Sequence, residues 1–197
     1  MSEQMACALS TIESALRSLH RDRLLMTLAP GITPEQVEAE LGRIGLPSLP
    51  ELDCLYGWHN GTAPDDNLML GDIWIFPIFY FLPLDEAVLT YQAMLQSERW
   101  REGWLPVFAD GGGDFYVVDL SVDGRGRVVR FRNDFAETPM EFESLAAMMT
   151  TLAAAFQRGI FYVDPGLRSI QSKRPEFDRL AAEFNPGVPW WTDPSLA

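Results

Sequence analysis

Cysteine is nearly absent from this chain. Cys7 and Cys54 are the only two among 197 residues; they have no paired spacing and no neighbouring histidine cluster. Neither a disulfide framework nor a zinc site is indicated, and a reducing, cytoplasmic setting is expected. Basic residues are also few: 15 against 28 acidic ones leave a net charge of −13. That balance repels nucleic acid and anionic membrane and favours basic protein surfaces as partners. Long hydrophobic runs are missing too. The longest, residues 73–84, is interrupted by Pro77 and Pro83 and falls short of the about 20 apolar residues that a bilayer span needs, so no membrane anchor is expected. The opening Ser2, Glu3 and Gln4 lack the basic start and apolar stretch of a secretory signal.

Motifs that carry chemistry are missing as well. There is no G-x-S-x-G elbow, no G-x-x-x-x-G-K-[ST] and no G-x-G-x-x-G. The three consecutive glycines at 111–113 lead into a strand instead of a helix, so they offer no phosphate cradle. No internal repeat or low-complexity run is found. These absences point away from an enzyme and from any cofactor, and towards binding.

What is present is core-forming material: 47% hydrophobic and 12% aromatic residues, enough for one globular domain. Leu9, Ile12, Leu16 and Leu19 recur at spacings of three and four, which predicts an amphipathic helix through the first thirty residues, closed by Pro30 and Gly31. Thr33, Pro34 and Gln36 read as an N-cap, a first-turn proline and a capping-box partner, with Val37, Leu41 and Ile44 on the buried face. Ser48 and Glu51 repeat the device around Pro50. They predict a short helix that buries Leu52, Leu55 and Tyr56, ends at Gly57 and is followed by a loop over 58–67.

Residues 68–82 are strand-like, and 85–99 turn helical, with Val88, Tyr91, Met94 and Leu95 inward and Gly103 as the stop. Residues 104–120, WLPVFADGGGDFYVVDL, predict a β-hairpin whose turn runs from Asp110 to Asp114, where glycine supplies positive φ. A second turn at 123–126 leads to a third strand at 127–131, and Phe142, Leu145, Met149, Leu152 and Phe156 mark a long helix over one face of the sheet. A short helix near 176–184 and a tail anchored by Trp190 and Trp191 complete the chain. The fold class expected is α+β, a mainly antiparallel sheet covered by helices. A helical extension spans 1–32, the central domain 33–158, and a packed C-terminal extension 159–197.

Several residues invite a chemical reading. Asp110, Asp114 and Asp119 could hold a hard cation, but they lack the alternating oxygen ligands of a calcium loop, so they read as turn-stabilising carboxylates and no metal is expected. His59, in the string Trp58-His59-Asn60-Gly61, would serve as a general base only with an orienting carboxylate and a nucleophile, and neither is evident; His20 sits in a predicted helix with no motif around it. The aromatics at 74–81 read as core, and the acidic pairs Asp65–Asp66 and Asp85–Glu86 as solvated faces or helix starts.

Taken in order, four segments resemble the SUKH superfamily, which joins a fungal cell-wall-synthesis regulator to many bacterial immunity proteins. They are LPSLPELDCLYGWHNG at 46–61, FLPLDEAV at 81–88, the hairpin at 104–120 and GRVVRF at 126–131, followed by a closing helix; together they lie within about 33–156. The resemblance implies a SUKH-like α+β domain and a cytoplasmic immunity protein that binds and neutralises a cognate bacterial toxin, with a nuclease as one candidate. The charge of −13 agrees with electrostatic steering towards a basic channel. Partner-binding residues are expected in two loops: Trp58, His59, Asn60, Asp65 and Asp66 in one, Asp110 and Asp114 in the other. A non-catalytic regulatory interaction module and a hydrolase using His59 are the alternatives.

Overall fold

The N-terminal periodicity forms helix α1 (Glu3–Ser18), which buries Met5, Leu9, Ile12 and Leu16, but it ends well short of Pro30. The structure, a computed structural model, describes residues 3–63 and 67–193. His20 adopts φ 56°, a left-handed conformation that a right-handed helix cannot absorb. The chain restarts as α2 (Asp22–Thr27) and strand β1 (Leu28–Pro30). The break is held by Arg21, whose guanidinium donates to the carbonyls of Gly71 (2.8 Å), Asp72 (2.7 Å) and Arg168 (2.7 Å).

Helix α3 (Pro34–Gly42) begins with the expected capping box of Thr33 and Gln36. Helix α4 (Pro50–Trp58) does not repeat it: Leu49 is the N-cap and supplies no side-chain bond. Ser48 Oγ donates instead to Asp53 Oδ1 at 2.7 Å, and Glu51 Oε2 accepts the amide of Ala146 at 3.1 Å, so it caps a different helix. The predicted loop after α4 is in part a strand, β2 (His59–Thr62), antiparallel to β1 with Leu28 opposite Thr62 and Pro30 opposite His59.

The main sheet comprises β3 (Tyr80–Phe81), β4 (Trp104–Ala109), β5 (Phe115–Asp119), β6 (Arg127–Phe131) and β7 (Met140–Phe142). They lie in sequence order and every neighbouring pair is antiparallel. Most of the strand expected over 68–82 is not a strand. A 3₁₀ turn (Leu70–Asp72) is followed by a tight reversal in which Ile75 donates to the Phe79 carbonyl and Phe79 to that of Phe76, with Ile78 at φ 65°. Pro77, with no amide hydrogen to give a ladder, sits at the apex. Helix α5 (Leu84–Met94) is shorter than predicted: it ends without waiting for Gly103, and Leu95 is left exposed.

Helix α6 (Leu145–Gln157) starts at Ser144, whose Oγ accepts the Ala147 amide at 3.1 Å; Phe142, read as helical from its spacing, belongs to β7. A hairpin not foreseen in the sequence, β8 (Phe161–Val163) with β9 (Ile170–Ser172), leads to α7 (Arg174–Phe184) and α8 (Pro189–Thr192). One face of the main sheet, with Phe108, Tyr116, Val118 and Val128, joins the large core to which α1, α4, α6 and the C-terminal elements all contribute. Its other face carries a smaller cluster of Tyr91, Trp100, Trp104, Val117, Val129 and Phe131. Helix α1 lies directly on α6.

Candidate functional site

The β4–β5 turn is closed by its own carboxylates. Asp110 Oδ1 accepts the amides of Gly112 (2.7 Å) and Asp114 (2.9 Å), while Gly111 and Gly113 take φ 83° and 104°. Only glycine adopts such angles freely. Asp114 Oδ1 accepts the Asn133 amide at 2.9 Å, and its Oδ2 lies 3.6 Å from Arg130 Nη2. The turn is thereby pinned to the segment that follows β6.

Trp58 and His59 face α1. The Trp58 indole donates to Glu13 Oε2 at 2.9 Å, His59 Nδ1 lies 3.1 Å from the Ala29 carbonyl, and His59 Nε2 is 4.0 Å from Glu13 Oε2. The hydrogen bond from Trp58, then that from Arg17, hold the Glu13 carboxyl below its ordinary range. Asn60 Oδ1 accepts the Leu84 amide at 3.0 Å, satisfying one of the free N–H groups at the start of α5. The expected contact residues are therefore not one cluster. Trp58 and His59 brace α1, Asn60 braces α5, Asp110 and Asp114 shape the hairpin, and Asp65 and Asp66 lie outside the described residues.

Tyr80 links the hairpin to α5. It sits on the two-residue edge strand β3, opposite Ala109, and is half-buried. Burial pushes its hydroxyl pKa up first, and the charges of Glu86 and Asp110 push it further. The Glu86 carboxyl is itself raised, by burial and then by neighbouring Asp85. Leu70 lies against the same turn: a Cβ added to Gly111 would meet Leu70 Cδ2 at 2.8 Å. Leu70 remains 42% exposed and Met69 78%. The result is a rim of carboxylates around an aromatic and aliphatic surface. Sequence reading missed Tyr80 and Glu86 as members of it. The Asp85–Glu86 pair was visible, but the reversal at 76–79 that returns the chain to the hairpin was not.

A second group is buried. Val128 pairs with Phe142 and Val129 with Met140, which leaves Glu141 as the extra residue of a β-bulge; bulges re-aim side chains. Glu141 is 3% exposed, and its carboxylate Oε2 accepts the Tyr116 hydroxyl at 2.7 Å. Arg130, opposite Tyr116 in the ladder, donates through Nη1 to the Tyr116 oxygen at 3.4 Å and stacks 4.8 Å from the Phe79 ring centre. Burial raises the Glu141 pKa more than Arg130 and Tyr116 lower it. The indole of Trp191 donates to the Glu141 carbonyl.

Among the described residues no group of three or more His, Cys, Asp or Glu side chains is placed to hold a metal ion, and no helix is long and apolar enough to cross a membrane. No curated protein matches the chain. The model of the SMI1/KNR4 family (SUKH-1) matches residues 31–151, from just after β1 to the middle of α6 and well over half of the chain, and on that match this protein belongs to the family.

Proposed function

We propose that this protein is a non-catalytic immunity protein of the cytoplasm, which binds a basic partner, a bacterial toxin, through the acidic rim around Tyr80. The observation that carries the reading is that Glu86 and Asp110 both act electrostatically on the partly exposed Tyr80, with Leu70 against the Asp110 turn and the exposed Met69 next to it in the chain. Interfaces favour this combination: an aromatic and apolar centre excludes water while surrounding charges select and steer the partner. The chain's net charge of −13 adds a long-range attraction of the same sign. Family membership supports it further, since the family includes immunity proteins. In this reading Trp58, His59, Asn60 and Asp114 hold the surface in shape. The His59 ring meets the Ala29 carbonyl, Glu13 and the edge of Trp58, an arrangement that suits bracing better than proton transfer.

The test is the double substitution Glu86→Gln with Asp110→Asn. Asparagine keeps the oxygen that the Gly112 and Asp114 amides need, so the hairpin survives while two charges are lost. Stopped-flow association with the product of the adjoining gene should slow by about tenfold at low salt, with a flatter salt dependence. Unchanged rates at both low and physiological salt would remove this rim from the interface and move attention to Asp65 and Asp66.

A further inference from the structure

Between the core face of the main sheet and the C-terminal elements lies a cavity of about 200 Å³. Phe76, Phe79 and Tyr116 line one side, and Phe161, Phe177 and Trp191 the other. The aromatic rings are ordered: Phe161 and Phe177 stack at 5.2 Å, and Phe177 meets Trp191 edge-on at 5.9 Å. The polar lining is confined to a few groups, among them Arg130, Glu141 and Ser172. Two of their atoms, Arg130 Nε and Ser172 Oγ, are buried without a hydrogen-bond partner among the described residues. Buried polar atoms are ordinarily satisfied, so two unsatisfied ones on residues that line one cavity call for an explanation.

We infer that this cavity is a binding site for a small aromatic carboxylate. Size comes first. A cavity of roughly 150 Å³ holds benzene, so about 200 Å³ takes one ring and a compact polar head. Polarity comes second: Arg130 Nε–H is a donor only and Ser172 Oγ–H can donate, so an acceptor is the one kind of group that suits both. Charge decides between neutral and anionic acceptors. Arg130 and Arg174 line the cavity with one carboxylate, Glu141, while the carboxylates paired with the two arginines, Asp114 (3.6 Å) and Asp178 (2.8 Å), are not part of that lining.

A cationic ligand meets the opposite situation, because Arg130 already occupies the faces of Phe79 and Tyr116, at 4.8 and 5.3 Å from their ring centres. Glu141 is engaged within the protein: its Oε2 accepts the Tyr116 hydroxyl at 2.7 Å, and burial raises its pKa, which lessens its opposition to an anion. Leu152, Phe161, Ser172, Phe177 and Trp191 lie beyond residue 151, where the family match ends, so much of the wall is built by this chain's own extension. The inference is independent of the proposed partner surface, which lies on other elements.

The experiment titrates sodium benzoate, benzamide and benzylamine into the full chain and follows tryptophan fluorescence and heat. Benzoate should bind saturably and at least about tenfold more tightly than benzamide, because hydrogen bonds to an ionised acceptor are the stronger ones. Benzylamine should not bind. Ser172→Ala, which removes only an unpartnered hydroxyl, should keep the fold and weaken benzoate by about threefold to tenfold. No saturable benzoate binding, or benzylamine or benzamide binding as tightly as benzoate, overturns the inference. The ligand series runs on the unaltered protein, so it decides the matter even if the variant fails to fold.

Discussion

Replacing Glu141 by Gln separates two accounts of the buried Glu141–Tyr116–Arg130 group. If Glu141 is held as an anion by Arg130, the substitution leaves a buried guanidinium uncompensated and costs about 3–5 kcal/mol at neutral pH. If burial dominates, as the upward direction of its pKa indicates, glutamine mimics the protonated acid, keeps an acceptor for the Tyr116 hydroxyl and costs little. The pH dependence follows with a definite sign. A carboxyl whose pKa is higher folded than unfolded binds its proton more tightly in the native state. Its contribution to stability is therefore complete below the unfolded value of about 4.3 and is lost as pH rises through the folded value. Within that window one carboxyl changes the folding free energy by up to about 1.4 kcal/mol per pH unit. Urea unfolding of wild type and Glu141→Gln at several pH values should therefore show the variant gaining relative to wild type as pH rises above about 4.3. A difference that stays flat with pH, or a loss near 3 kcal/mol at pH 7, would refute the argument and make the group an ion pair.

Two further substitutions, with Gly45→Ala as a control, test the supports of the candidate surface. Gly61 has φ 75°, and an added Cβ would fall 2.1 Å from Pro83 N, whereas Gly45 has φ 74° with nothing within 4 Å. Gly61→Ala should cost about 3 kcal/mol, a fall in Tm of roughly 6–12 °C, and Gly45→Ala only the conformational part, about 1 kcal/mol; equal losses by thermal melting would show that the close approach to Pro83 does not matter. Glu13→Gln weakens the bonds from Trp58 and Arg17 and should cost about 1 kcal/mol at pH 7 in urea unfolding. Because the Glu13 pKa is depressed, that deficit should shrink as pH falls below the ordinary carboxyl range and through the lowered folded value; a deficit that stays constant as pH falls would contradict it.

What was legible in the sequence was local. Thr33, Pro34 and Gln36 act within one turn, and Asp110 and Asp114 within one hairpin, so spacing alone located both. The fold class followed from short turns, which join only antiparallel neighbours. The misreadings came from partners remote in sequence. Glu51 has the spacing of a capping residue for its own helix, but its carboxylate is used by Ala146, 95 residues away. Asn60 and Gly61 are turn formers by composition, yet with His59 they run as a strand because β1 lies beside them. Glu141 carried no motif: its burial depends on a one-residue bulge and on side chains from β5 and β6. The rim around Tyr80 was hidden for the same reason, since the reversal at Pro77 decides which residues reach the hairpin.

The seating of α1 on α6 also bears on how the chain reaches its fold. The apolar stripe of Met5, Leu9, Ile12 and Leu16 is made first, and α2 and α4 meet part of α1, but the helix that covers most of it begins only at Leu145. Loop closure over such a separation is slow relative to local helix and hairpin formation. During synthesis much of the stripe therefore stays open to solvent while the sheet is still being translated. That interval is when a chaperone would engage the nascent chain, or when two unfinished chains would associate through the same face.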